Sequence, residues 1–337
     1  MLEEPDIDHR KIQICLEREY GIHASQIEFL PLGADLNTAA YLVESNGTSY
    51  FVKLRSGFFN ELTVTIPEYL SKQGMQQIIS PKNTISGGLW ANVANYKLIL
   101  YPFIVGQNAY EQKLSDNQWM EFGIAIRRIH RTKLPLELES RIPKETFSPQ
   151  WREMVKSFIS QSQIEIFQES VAQQCADFVT SKKSEILDLI KRAEILANHL
   201  SNQTQEFVIC HADLHAGNIL IGNEGKFYIV DWDTLTMAPK ERDLMYIGGG
   251  LMNNDRGPQE EEALFYQTYY PQAINQVAIA YYRYERIIQD IAAFCEQLLL
   301  THGGGEDREQ SLFYLKSNFL PNNTIEIAYQ SDKTVWS

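Results

Sequence analysis

His211-Ala212-Asp213-Leu214-His215-Ala216-Gly217-Asn218, with Asp231 thirteen residues further on in Ile229-Val230-Asp231-Trp232-Asp233, is the stretch on which the reading of this chain turns. Two apolar runs flank it, Phe207 to Cys210 and Phe227 to Val230, and they read as the strands of a loop-bearing hairpin. Transfer of a phosphoryl group from a nucleotide needs a carboxylate to orient the attacking hydroxyl and take its proton. It also needs hard oxygen ligands for the magnesium that bridges the phosphates. Asp213 meets the first need; Asn218 and Asp231 meet the second. Single Asp and Asn residues in loops mostly cap turns, but four polar residues at these spacings between two strands exceed what capping requires. A zinc reading is the alternative, because His211, Asp213 and His215 alternate along an extended segment as ligands would. His9, His23, His130, His199 and His302 add no second cluster, and His211 reads more simply as a residue that hydrogen-bonds the loop.

Working back from this loop, the first hundred residues have sheet character. A helical spacing at Ile12, Leu16 and Tyr20 stops at Gly21. Strand-like runs follow at Ile27 to Leu32, Ala39 to Glu44 and Ser49 to Leu54, the last two joined through Asn46-Gly47, a strong hairpin signal. Leu62, Ile66 and Leu70 are spaced for a helix despite Pro67. Two more strands are expected, one between Asn83 and Ala94 around Gly87-Gly88 and one from Tyr96 to Tyr101. Beyond Pro102 the periodicity turns helical: 115 to 131 with Ser115 as cap, most of 150 to 200, and 281 to 299. The Gly248-Gly249-Gly250 and Gly303-Gly304-Gly305 runs read as turns. The expectation is an α+β, two-lobed fold around a cleft, with an antiparallel-sheet lobe at 1–102 and a mainly helical lobe at 103–337 that holds the loop and the acceptor site.

Composition narrows the function classes. A formal net charge of −13 leaves no basic excess with which to displace counterions from a nucleic-acid backbone, and it favours cationic partners. No apolar run reaches the ~18 residues of a membrane span, and the acidic, polar start Met1 to Arg10 is no signal peptide, so the expectation is a cytoplasmic protein away from the membrane. Cys15, Cys175, Cys210 and Cys295 lie far apart and suggest buried free thiols rather than a metal or disulfide framework.

The five-residue spacing of Asp213 and Asn218 with a third Asp downstream matches the protein-kinase signature. More specifically, the segment Cys210 to Leu220 and the run Ala238-Pro239-Lys240-Glu241-Arg242-Asp243-Leu244 resemble the aminoglycoside phosphotransferase family, over most of the chain from Gly33 to about Cys295. Within it, Ser148 to Glu153, Ala238 to Gly250 and Tyr281 to Arg286 are most similar to the members that phosphorylate spectinomycin. Ala212 stands where protein kinases have Arg, Asp233 where they have Gly, and no activation segment is recognisable.

The resemblance implies a kinase-like fold, ATP and Mg2+ as cofactors, and a cationic aminocyclitol or aminoglycoside as acceptor, with the chain taken to act as a monomer. It further implies roles by position. Gly33 and Asn37 belong to a loop covering the nucleotide, and Lys53, at a strand end, is the cation set against its phosphates, with Glu61 as the acidic partner and Glu68 second choice. Tyr101-Pro102-Phe103 is the hinge for adenine; Pro102 has no N–H, which leaves the Phe103 N–H and the Tyr101 carbonyl. Asp213, Trp232, Glu285 and Asp290 are the candidates for the acceptor, the last two lying off the apolar stripe of their helix. Kinases of small metabolites such as choline, homoserine or methylthioribose would share the loop, and a nucleotide-binding module without transfer activity is the rival from another class.

Overall fold

The structure is a computed structural model that describes residues 3–33, 35, 37–249, 256–270, 273–302, 305–321 and 323–333. They pack as two compact units, residues 1–112 with 217–234 and residues 113–216 with 235–337. The expected division at 102 followed the change of periodicity; packing instead carries the first unit to 112 and returns 217–234 to it.

The first unit begins with helix α1 (His9–Cys15), a wider turn at Leu16–Tyr20, and Gly21 in the left-handed region, where the helix ends. Strands β1 (Gln26–Leu30), β2 (Thr38–Ser45) and β3 (Thr48–Arg55) follow, then helix α2 (Leu62–Lys72), β4 (Ala91–Val93) and β5 (Tyr96–Pro102). They form an antiparallel sheet in the order β1-β2-β3-β5-β4. Asn46 and Gly47 both have positive φ (49° and 74°), as a tight two-residue hairpin demands, and this fixes Ser45 opposite Thr48. The inward residues Tyr41, Val43, Val52, Leu54, Leu98 and Leu100 bury against Ile12 and Leu16 beneath the sheet. Strand β6 (Gly106–Asn108) then leaves this sheet to start another.

The second unit opens with α3 (Asp116–Arg131), whose Ser115 and Gln118 cap each other's backbone, followed by α4 (Leu136–Glu139), α5 (Gln150–Ile164), α6 (Ser170–Ser181) and α7 (Lys183–Ser201). Strand β7 (Val208–Cys210) precedes the loop. In the first unit, β8 (Ile219–Gly222) and β9 (Phe227–Ile229) complete a three-stranded sheet in the order β6-β8-β9. Gly106 faces Gly222 there, and a Cβ on Gly106 would lie 2.1 Å from the Ile221 carbonyl oxygen. The expected hairpin is therefore corrected. Val208–Cys210 pairs with β10 (Thr236–Ala238) in the second unit, while Phe227–Ile229 pairs with β8 in the first, because apolar runs specify burial but not a partner. The second unit continues with α8 (Glu241–Leu244), α9 (Pro258–Tyr269), the 25-residue α10 (Gln276–Leu300), α11 (Gly305–Ser317) and α12 (Thr324–Lys333). Helix α10 is its spine, burying Ile287, Ile288, Ile291, Cys295 and Leu298 along the stripe expected from the sequence.

Gly248 and Gly249 lie in a turn; Gly250, Gly303 and Gly304 fall outside the described residues. All four cysteines are buried free thiols. Among the described residues no helix is long and apolar enough to cross a membrane.

Candidate active site

In the first unit, Lys53 projects from β3 into a pair of carboxylates. Its Nζ donates to Asp231 Oδ1 at 3.0 Å and to Asp233 Oδ2 at 2.9 Å. Burial works to lower the pKa of this ammonium; the Asp231 and Asp233 charges outweigh it and raise the pKa above the usual lysine value. The acidic partners of Lys53 are thus the two aspartates after β9. Glu61, expected in that role, stands at the N-cap of α2, where its carbonyl accepts from Val64 and Thr65. Asp231 adopts φ 62°, a left-handed conformation uncommon for a residue with a Cβ and of a kind found at ligand sites. Arg55, two residues after Lys53, extends the cluster: its Nη1 lies 3.5 Å from Asp233 Oδ2 and donates to Asp35 and to Thr38 Oγ1.

Asn218 ends a short 3-10 turn before β8 and is buried, with its carbonyl accepting from the Val230 N–H at 3.0 Å. That bond sets the metal candidates Asn218 and Asp231 on adjoining segments of one unit. Carboxylate and carboxamide oxygens are hard ligands, so Asp231, Asp233 and Asn218 offer donors of the kind that magnesium takes. Gly33 has φ 77°, and the Asn37 N–H donates to Asp35 Oδ1 while its carbonyl accepts from Ser56, which ties this loop to the end of β3. Tyr101 packs its ring 6.4 Å from that of Phe51. The Phe103 N–H, expected to meet adenine, donates to the Ser49 carbonyl at 3.2 Å, which extends the β3–β5 pairing by one residue. Trp232 is buried, its indole N–H donating to the Ile229 carbonyl, so it packs within this unit rather than presenting a face to an acceptor.

In the second unit the loop around Asp213 is held from below by Asp243. This fully buried carboxylate accepts from the backbone N–H groups of His211 (3.1 Å) and Ala212 (2.7 Å), and lies 2.9 Å from His130 Nε2. The other nitrogen of His130 meets the Tyr269 hydroxyl at 2.8 Å. Ala212 is thereby kept at φ 68°, and the Asp213 N–H donates to His211 Nδ1 at 3.3 Å. Atoms capable of holding a metal gather, among the described residues, at His130, Cys210 and Asp243 rather than at His211, Asp213 and His215. Internal hydrogen bonds already engage that buried group.

The Asp213 carboxylate is set by groups that sequence reasoning missed. Arg286 Nη1 and the Tyr246 hydroxyl (3.1 Å) both contact Oδ1, and His215 Nε2 lies 3.6 Å from Oδ2. Burial pushes this carboxyl up in pKa; the Arg286 guanidinium, then the His215 and His211 rings, outweigh it and hold the carboxyl well below the usual range. Asp290, a turn further along α10, accepts from Arg286 Nε at 2.9 Å and so is engaged by this cation. Glu285, expected at the acceptor, is 3% exposed and faces Arg152 Nε at 3.4 Å, which puts it in the interior between α5 and α10. Burial raises its pKa to about 7 against the opposing pull of Arg152 and Arg242. Arg152 also donates to the carbonyls of Phe147 and Ser148, so the matching segments at 148–153 and 281–286 meet as a packing unit. Arg286 lay in that second segment, and its run of Tyr and Arg was the available signal.

Residues 28–279 match the sequence model of the phosphotransferase enzyme family. Among solved structures, the chain is similar to a spectinomycin phosphotransferase in complex with ADP and spectinomycin, at 35% identity and a TM-score of 0.89, covering 98% of this chain and 100% of that one. An AMP-bound complex of spectinomycin phosphotransferase gives 35% identity and a TM-score of 0.84 over 95% and 98% of the two chains. An ethanolamine kinase from Plasmodium vivax shares the fold at 14% identity, with a TM-score of 0.58 over 97% of this chain and 86% of that one.

Proposed function

The chain belongs to the phosphotransferase enzyme family and is an ATP-dependent enzyme that phosphorylates an alcohol group, and from that premise we propose that its acceptor is a cationic aminocyclitol, spectinomycin first. The observation that carries the acceptor assignment is the full-length similarity, at 35% identity, to a phosphotransferase whose complex holds ADP and spectinomycin. In the proposed reaction the acceptor oxygen bonds to the γ-phosphorus, the bond from that phosphorus to the β,γ-bridging oxygen breaks, and ADP leaves. The ionised Asp213 carboxylate orients the acceptor hydroxyl and takes its proton as the new bond to phosphorus forms. Magnesium, when bound, neutralises charge on the phosphates; Asn218 and Asp231, with Asp233 beside them, are the residues that would hold it. Lys53 supplies a fixed positive charge toward the nucleotide, exchanging its carboxylate partners for phosphate. The loop at Gly33 and Asn37 and the strand end at Tyr101 are the segments assigned to cover and seat the nucleotide. The reaction is placed in the cytoplasm, where it would protect a cell from the antibiotic.

The test is ADP release with magnesium-ATP across aminocyclitols, aminoglycosides and small amino alcohols, together with spectinomycin susceptibility of a sensitive bacterium expressing the chain. Spectinomycin-dependent ADP release and raised tolerance are the expected results. Release with choline or ethanolamine alone would reassign the acceptor and leave the kinase in place.

A further inference from the structure

Helix α10 carries two arginines one turn apart with different surroundings. Arg283 spends its donors on structure: Nε on the Met245 carbonyl, Nη2 on the Ile247 carbonyl and Nη1 on Ser331 Oγ. It thereby fixes the backbone on either side of Tyr246. Arg286 serves none of these. Its donors go to Asp213 Oδ1, to the Tyr246 hydroxyl at 3.0 Å and to Asp290 Oδ1. Side chains of this cluster are about a fifth to a quarter exposed, at 22% for Arg286, 19% for Asp213 and 27% for Asp290. The guanidinium is therefore placed where it can act on the loop, not where it fills the core.

We infer that Arg286 is a positioning residue for phosphoryl transfer: with Tyr246 it pins Oδ1 of Asp213, so that the carboxylate meets the acceptor hydroxyl through Oδ2, and Asp290 holds the guanidinium in place. This rests on the kinase reading above. A carboxylate gripped at one oxygen by two donors cannot rotate about its Cβ–Cγ bond, and the orientation of the other oxygen is set before the acceptor arrives. The charges support the arrangement. Asp213 and Asp290 are both acidic, and the cation between them offsets part of their repulsion: burial and the Asp213 charge raise the pKa of Asp290, and Arg286 pulls against both. Asp290 thus contributes through Arg286 rather than by gripping the acceptor itself.

The experiment compares wild type with Arg286→Met, Arg286→Lys and Asp290→Asn in steady-state kinetics with magnesium-ATP and spectinomycin, in slow ATP hydrolysis without acceptor, and in thermal unfolding. Arg286→Met should lower kcat by about 30-fold or more with the KM for ATP within about two-fold, Arg286→Lys should recover part of the loss, and Asp290→Asn should give a smaller loss. Hydrolysis by water should fall in step. Wild-type kcat in a stably folded Arg286→Met variant would overturn the inference. So would equal losses of kcat, ATP affinity and melting temperature in both Arg286 variants, the pattern of a purely structural arginine. If the wild type turns over and Arg286→Met matches it, the inference alone fails; if the wild type releases no ADP with any acceptor and none by hydrolysis, the functional reading fails and takes the inference with it.

Discussion

Replacing Asp213 by Asn preserves the outline of the side chain and removes the charge against which Arg286 is set. Turnover is expected to fall by a factor on the order of a hundred or more while ATP still binds, measured as kcat and nucleotide dissociation constant. Equivalent turnover in a folded variant would sink the assignment of Asp213. Asp231→Asn should weaken transfer and shift the magnesium titration to higher concentration; an unchanged titration removes Asp231 from the metal. Glu285 offers a test independent of catalysis. Its folded pKa, about 7, lies above its ordinary 4.5, so the folded state binds a proton that the unfolded state has released across that window. Its contribution is fully present below pH ~4.5 and is lost as pH rises toward ~7. The melting temperature of wild type relative to Glu285→Gln should accordingly decline over that interval, and a constant difference would show that Glu285 does not titrate there. At this scale the spacing of Asp213, Asn218 and Asp231 and the position of Lys53 on β3 singled out residues that the fold engages in polar contacts, Lys53 with Asp231 and Asp213 with Arg286 among them. The sequence was silent where the partner comes from a distant segment: no local pattern joins Lys53 to Asp233 or Asp213 to Arg286, 180 and 73 residues apart.

Among the elements, β7, the Asp213 loop and α8 form a unit whose keystone is Asp243. Asp243→Ala would leave the His211 and Ala212 N–H groups and the His130 ring without their acceptor and release Ala212 from its left-handed turn. Removing one partner of a buried charged network costs about 3–5 kcal/mol, so a large drop in denaturation midpoint with loss of activity is expected. A midpoint within error of wild type would show that the loop is held otherwise. Periodicity and caps located most helices and the Asn46-Gly47 hairpin because those signals are local. The pairing of Val208–Cys210 with Thr236–Ala238, rather than with the nearer apolar run, was not legible, since both runs satisfy the same burial pattern. The likeness at 148–153 and 281–286 was read as pertaining to the acceptor; in the fold these segments bury Arg152 against Glu285 and Tyr281, and what they share is packing.

For the molecule as a whole, a net charge of −13 should draw a cationic acceptor by long-range attraction that salt screens. The KM for spectinomycin is expected to rise several-fold between about 0.05 M and 0.5 M salt; a flat response would place recognition entirely in short-range contacts. The α+β architecture was legible because the change from strand to helix periodicity is abrupt; the return of 217–234 to the first unit was not, because it depends on β6 pairing with β8 across more than a hundred residues. That return has a temporal consequence. A ribosome that has finished residue 112 must add about a hundred more, residues 113–216, before the strands that complete the β6 sheet exist. At roughly 5–20 residues per second, the nascent chain waits on the order of 5–20 s with the pairing edge of β6 uncovered, an interval in which it is open to chaperones, proteases and neighbouring chains alike.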